Sequence, residues 1–118
     1  MKTVLIVDDS KFARTTTKKL LETLNYKVIG EAVDGLEGVS LYKDLKPDFL
    51  VTDLEMPNLS GIDMIKEIKS YNDDAKIIVI STVVNAQITQ EAIKLSAIVI
   101  KKPIKEQKLV NALKLLSR

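Results

Sequence analysis

Apolar residues follow two rhythms along this chain, and the rhythms alternate. Thr3-Val4-Leu5-Ile6-Val7 is a continuous run rich in β-branched residues, and it stops at Asp8-Asp9-Ser10. A run apolar on both faces suits a parallel strand covered by helices on both sides. Ala13, Thr17, Leu20, Leu21 and Leu24 then recur at helical spacing, with Asp9 or Ser10 as the cap and Asn25 as the stop. Residues 26–32 predict a second, shorter strand. Asp34-Gly35 turns the chain into a helix through Leu36, Val39 and Tyr42, which Pro47 ends. Phe49-Leu50-Val51-Thr52-Asp53 is a third strand with a carboxylate at its C-terminal tip, because Pro57 has no N–H with which to extend it. Ile62, Ile65 and Ile68 mark a third helix after the loop at 57–61, ending near 71–74. Lys76-Ile77-Ile78-Val79-Ile80 leads to Ser81-Thr82, and Ile88, Ala92 and Leu95 mark the helix after it. Ala97-Ile98-Val99-Ile100 leads to Lys101-Lys102-Pro103, and Leu109, Leu113 and Leu116 mark the last helix.

Five strands alternating with five helices predict an α/β fold. It is a flavodoxin-like, doubly wound, five-stranded parallel sheet with right-handed crossovers and strand order 2-1-3-4-5. The second strand is expected at an edge. There is no internal repeat or linker, so residues 1–118 read as one domain, with Arg118 following a complete fifth helix.

Composition narrows the function. The chain has no Cys and no His. This excludes a disulfide framework, a thiolate or imidazole metal site, a His-based triad and self-phosphorylation on imidazole. No apolar run approaches the ~20 residues of a membrane span, and Met1-Lys2-Thr3 opens directly into a strand, so a cytoplasmic protein without membrane insertion is expected. The net charge is +2 but unevenly spread. Residues 31–74 hold eleven acids against four lysines, whereas residues 101–118 hold six bases against Glu106. Without interleaved aromatics the basic end reads as a solvated helix face rather than a nucleic-acid site.

The strand order gathers chemistry that the sequence scatters. Asp8, Asp9, Asp53, Ser81 and Lys102 all lie at the C-terminal ends of strands one, three, four and five, beside the switch point where ligands bind in such sheets. Singly, Asp8-Asp9 is a helix-capping pair, Ser81 a strand terminator and Lys102 a solvated lysine. Together they need a shared reason. Three close carboxylates repel, and a hard dication with oxygen ligands relieves them; carboxylates, waters and a phosphate oxygen describe Mg²⁺. Ser81 and Lys102 then suit a phosphoryl group as donor and point charge, and Asp53 is the nucleophile.

On these residues the whole chain resembles the receiver domains of two-component response regulators. The resemblance runs through Leu5-Ile6-Val7-Asp8-Asp9-Ser10 with Arg14 following, and Glu31-Ala32-Val33-Asp34-Gly35. It continues through Asp53-Leu54-Glu55-Met56-Pro57 with Gly61-Ile62-Asp63, Ser81, and Lys102-Pro103. The stand-alone length resembles the chemotaxis regulators of the CheY kind. The resemblance implies that Asp53 accepts a phosphoryl group from a sensor histidine kinase or phosphotransfer protein. It implies that Asp9, Asp53 and the backbone carbonyl of Glu55 bind Mg²⁺, with Asp8 assisting through water. It gives Lys102 and Ser81 contacts to the phosphoryl group, and a cis peptide at Lys102-Pro103. The implied output is switched binding of a downstream protein by the helix 4/strand 5/helix 5 face of a monomer or weak dimer. The implied chemistry is the chain's own phosphoryl transfer and slow autodephosphorylation, not enzymatic turnover. Alternatives are a phosphate sink or scaffold without output, and an Asp-based Mg²⁺-dependent phosphatase.

Three positions depart from the pattern on the output side. Val99 stands where Tyr or Phe is usual, Thr82 where Ala or Gly is common, and Leu95-Ser96-Ala97 where Gly-Ala often precedes the fifth strand. Glu55 and Val83, two residues past Asp53 and Ser81, are expected to border the path of incoming small molecules and to tune rates.

Overall fold

The computed structural model describes residues 1–82 and 85–117; Val83 and Arg118, which carried expectations above, lie outside them. The elements in chain order are β1 (Thr3–Val7), α1 (Lys11–Thr23), β2 (Lys27–Ala32), α2 (Gly35–Leu45) and β3 (Phe49–Thr52). They continue with α3 (Gly61–Tyr71), β4 (Ile77–Ser81), α4 (Ala86–Lys94), β5 (Ile98–Lys101) and α5 (Glu106–Leu116). All strand pairs are parallel, in the order β2-β1-β3-β4-β5. None of the described helices is long and apolar enough to cross a membrane.

The continuous apolar runs become the central strands because both faces are covered. On one face Leu5, Val7, Leu50, Ile77 and Val79 pack with Val39, Tyr42, Met64, Ile65, Ile68 and Ala92 of α2, α3 and α4. On the other, Val4, Ile6, Phe49, Val51, Ile78 and Ile80 pack with Leu21 of α1 and Leu109, Ala112 and Leu113 of α5. Each Val, Leu, Ile, Phe or Met among them contributes about 1.5–3 kcal/mol on burial.

Strand β2 is the edge, as expected, but it is not short. Its six residues make it the longest of the described strands. Glu31 is exposed and Gly30 lacks a side chain, so the apolar signal fades while the backbone ladder continues. Pairing with β1 also slips: Val4 faces Val28, but Leu5 faces Gly30. The extra residue, Ile29, is a β-bulge. Gly30 suits it, since a Cβ there would lie 2.7 Å from the Leu45 side chain and 3.2 Å from that of Leu5. Beyond the bulge Glu31 faces the α1 side beside Ile6, and Ala32 faces the α2 side beside Val7.

Helix ends follow their caps. Ser10, not Asp9, caps α1 by accepting from the Ala13 N–H. Asp34 caps α2 through the Glu37 N–H, and Ser60 caps α3 through the Asp63 N–H. At the N-terminal edge of the sheet, Asp48 accepts from the Thr3 N–H at 2.8 Å and ties β1 to β3. That backbone hydrogen bond holds the Asp48 carboxyl below its ordinary pKa. A lowered folded pKa supplies stability that is present above the unfolded value and is lost as pH falls through the folded one. Asp48→Asn should therefore be less stable than the wild type at neutral pH and show a flatter decline of stability below about pH 4, so that the two converge in acid titrations followed by circular dichroism.

Ser96 adopts φ 66° in the turn into β5. A side chain there costs about 1–2 kcal/mol, while glycine forfeits about 0.5–1 kcal/mol of chain entropy. Ser96→Gly should raise stability by about 0.5–1 kcal/mol in urea unfolding, the difference of those two.

Candidate functional site

Strand pairing carries the site residues to one edge. The Asp8 N–H donates to the Ala32 carbonyl, that of Asp53 to Val7, and that of Lys102 to Ser81, each at 3.0 Å. The ladder thus runs one residue past the strands, and Asp53 stands immediately beyond β3 rather than within it. One carboxylate oxygen from each of Asp8, Asp9 and Asp53 lies within 4.8 Å of the others. Asp8 and Asp53 are buried and Asp9 is exposed, so the cluster is dry at its base and open at its rim.

The Lys102 ammonium sits 3.2 Å from both Asp8 Oδ2 and Asp53 Oδ2. Burial opposes its charge, but Asp53 and then Asp8 outweigh this, and its pKa is raised. Lys102 therefore stays cationic at neutral pH. The stabilisation it lends is full below the ordinary lysine value and is lost only as pH rises through the raised one.

The other carboxylate oxygens are held by the backbone. Asp53 Oδ1 accepts from the Leu54 N–H at 2.6 Å and, at 3.4 Å, from that of Glu55. Asp8 Oδ1 accepts from the Ser10 N–H at 2.9 Å. Ser81, the last residue of β4, is 2% exposed and lies between the strand ends that carry Asp53 and Lys102. The Lys102–Pro103 peptide is cis, as expected. Glu55 is exposed in the loop beyond Asp53.

That loop is held tightly. The Gly61 N–H donates to the Leu54 carbonyl at 3.0 Å. A Cβ on Gly61 would lie 2.6 Å from both the Asp53 carbonyl oxygen and the Leu54 Cα, so only glycine lets α3 start this close to the site. Asn58, at φ 70°, donates to Asp34 Oδ2 at 2.7 Å and ties the loop to the start of α2.

The donor set decides what the cluster can hold. It is all oxygen, anionic and open on one side, which fits a small hard dication that keeps some of its waters rather than a soft or imidazole-seeking metal.

Asp8, Asp9, Asp53, Ser81 and Lys102 stand at one edge of the sheet, where the strand order puts them. Arg14 has no part in the sequence pattern beyond its presence there. Arg14 is only 13% exposed and donates to the Asp8 carbonyl at 2.7 Å and to Glu31 Oε1 at 3.2 Å. Its position six residues past Asp8, on the first turn and a half of a helix, was the available signal. Of the departures noted above, Val99 is half-buried, pairs with Val79 and packs against the α2–α3–α4 face. Thr82 is exposed and joins Lys102, Phe12, Ala13, Thr16 and Ile104 around an open cleft of about 490 Å³ beside α1.

Comparison with known proteins gives a consistent picture. The family model described as a response regulator receiver domain matches residues 4–114. The chain is 44% identical over 118 residues to the chemotaxis protein CheY of Thermotoga maritima, covering 99% of this chain and 98% of that one. It is 40% identical over 113 residues to protein CcdB of Bacillus subtilis, covering 95% and 94%. A chain of the CheX-CheY-BeF3-Mg²⁺ complex from Borrelia burgdorferi superposes with a TM-score of 0.94 at 28% identity, covering 99% of this chain and 90% of that one. The response regulator domain of Thermotoga maritima CheB superposes at 0.80 with 39% identity, covering 99% and 92%.

Proposed function

The chain belongs to the response regulator receiver family, and from that premise we propose that it accepts a phosphoryl group on Asp53 and signals by switching the binding of a protein partner. One observation carries the reading: the Asp53 carboxylate is buried beside two further acids and an ammonium 3.2 Å away, at the C-terminal edge of a doubly wound sheet. The donor is a phosphohistidine on a sensor kinase or phosphotransfer protein, since this chain has no His. An Asp53 oxygen forms the new O–P bond; the P–N bond breaks and its electron pair returns to the donor imidazole.

Asp9, Asp53 and the Glu55 carbonyl would hold Mg²⁺, with Asp8 assisting through water; the ion supplies charge neutralisation for the incoming phosphoryl oxygens. Lys102, already poised on Asp53, passes to a phosphoryl oxygen as the carboxylate becomes an acyl phosphate. Ser81 donates a hydrogen bond to another. The added charge biases the α4–β5–α5 side, where Ile93 and Leu115 are exposed apolar contacts for a partner. Val99 cannot report by swinging a ring, so the change reaches that face by backbone and helix shifts. The relatives named for chemotaxis support a chemotactic pathway in the cytoplasm, and the chain acts as a switch rather than a turnover enzyme.

Incubation with acetyl phosphate should give a single phosphoryl adduct by mass spectrometry with Mg²⁺ and none in EDTA. An adduct that ignores EDTA overturns the metal assignment, and the absence of any adduct overturns the reading. Glu55 is exposed at the mouth and repels anionic donors, so Glu55→Asn should speed phosphorylation by acetyl phosphate several-fold at low salt, fading as salt screens the charge. An unchanged rate would remove Glu55 from the path.

A further inference from the structure

Asp8 is held from every side except by its own Cβ. Its N–H donates to Ala32 on β2 at 3.0 Å, its Oδ1 accepts from Ser10 at 2.9 Å, and its Oδ2 meets Lys102 at 3.2 Å. The remaining polar atom is the carbonyl oxygen, and Arg14 donates to it at 2.7 Å. The same guanidinium rests on Glu31 Oε1 at 3.2 Å, and Glu31 Oε2 lies 3.8 Å from Lys18. Arg14 is 13% exposed, so its charge is largely withdrawn from water and its fork is engaged on two different elements. The carbonyl it grips belongs to the peptide that joins Asp8 to Asp9. Rotation of that peptide would swing the Asp9 carboxylate, the exposed member of the acidic cluster.

We propose that Arg14, braced by Glu31, is a positioning residue for the metal end of the site: it fixes the Asp8–Asp9 peptide so that both carboxylates converge with Asp53. The proposal rests on the Mg²⁺ reading above. Arg14 touches neither the reacting oxygen nor the donor, so it acts on how tightly the cation binds and not on the transfer itself. Residues that orient metal ligands are typically worth about 10–100-fold in affinity.

Calorimetric titration of MgCl₂ into the wild-type chain, Arg14→Met and Arg14→Lys tests this, alongside the Mg²⁺ dependence of phosphorylation by acetyl phosphate. Arg14→Met keeps the stem and removes every donor, and should weaken Mg²⁺ about tenfold. Its rate at saturating Mg²⁺ should stay within about twofold of wild type, because the transfer groups are untouched. Arg14→Lys, with one donor for the carbonyl and none fixed on Glu31, should fall between. Glu31→Gln should lose about two- to threefold, since the contact with Asp8 survives without its charged brace. If Arg14→Met does not fold, the Arg14→Lys and Glu31→Gln titrations carry the comparison. Wild-type affinity in the folded variants overturns the proposal, as does a loss confined to the saturating rate. A wild-type chain that binds no Mg²⁺ takes down the functional reading as well, so the two failures are distinct.

Discussion

Asp53→Asn should leave no phosphoryl adduct under conditions that fully label the wild type, while the protein remains folded. The amide is nearly isosteric: its oxygen can still accept from the Leu54 N–H, while its NH2 replaces the oxygen that accepts from Lys102, which keeps its contact with Asp8, so the cost in stability should stay near about 1 kcal/mol. What it loses is the anionic oxygen. A neutral amide does not displace an imidazole or a carboxylate from phosphorus. The comparison is clean because the chain lacks His, the other residue from which a comparably reactive phosphoryl group would be expected. Mass spectrometry of the intact chain reads the result. An adduct that persists in Asp53→Asn would move the acceptor elsewhere and overturn the assignment. Steady release of phosphate from a generic ester by the wild type would instead favour the phosphatase alternative.

Lys102→Met should change two measurements in opposite directions. In the metal-free chain the ammonium lies between Asp8 and Asp53 and competes with a cation for the same oxygens. Removing it should tighten Mg²⁺ by about tenfold, or about 1.4 kcal/mol. Yet phosphorylation at saturating Mg²⁺ should slow by about a hundredfold, because the charge that meets the phosphoryl oxygens is gone. The metal-free variant should also be less stable, by about 1–3 kcal/mol, since two buried carboxylates lose their cation. Mg²⁺ should recover that loss and more. Urea unfolding with EDTA and with Mg²⁺ separates these effects. Weaker Mg²⁺ binding in Lys102→Met would mean that Lys102 organises the carboxylates rather than competing for them.

The sheet order and the edge on which the acids gather were legible because alternation implies a doubly wound parallel sheet, and a weakly apolar second strand fits the edge of the 2-1-3-4-5 order. A parallel sheet with this strand order must bring the ends of β1, β3, β4 and β5 together, and Asp8, Asp9, Asp53, Ser81 and Lys102 follow wherever those ends go. What escaped was whatever depended on a distance across elements. Arg14 could be seen on α1 and Glu31 on β2, but their meeting requires the bulge in β2, and a glycine amid half-exposed residues does not announce one. The same dilution of the apolar pattern made the longest strand look short. Ser96 and Lys46 take left-handed conformations that glycine or asparagine would have signalled and that serine and lysine do not. The link from Asn58 to Asp34 spans twenty-four positions and joins two loops, where hydrophobic periodicity says nothing.

The bulge at Ile29 also sets which insertions and deletions this edge can absorb. A strand is read in steps of two, and the bulge shifts that frame once, halfway along β2. Deleting the one extra residue there would restore flush pairing and leave Glu31 beside Ile6 and Ala32 beside Val7. Loss of two residues would shift the frame by one and exchange the faces downstream: Glu31 would be driven toward the apolar layer under α2, and Ala32 would take its place and leave Arg14 without its brace. The bulge is thus one residue of slack at this edge, so that loss of one residue is absorbed and loss of two is not.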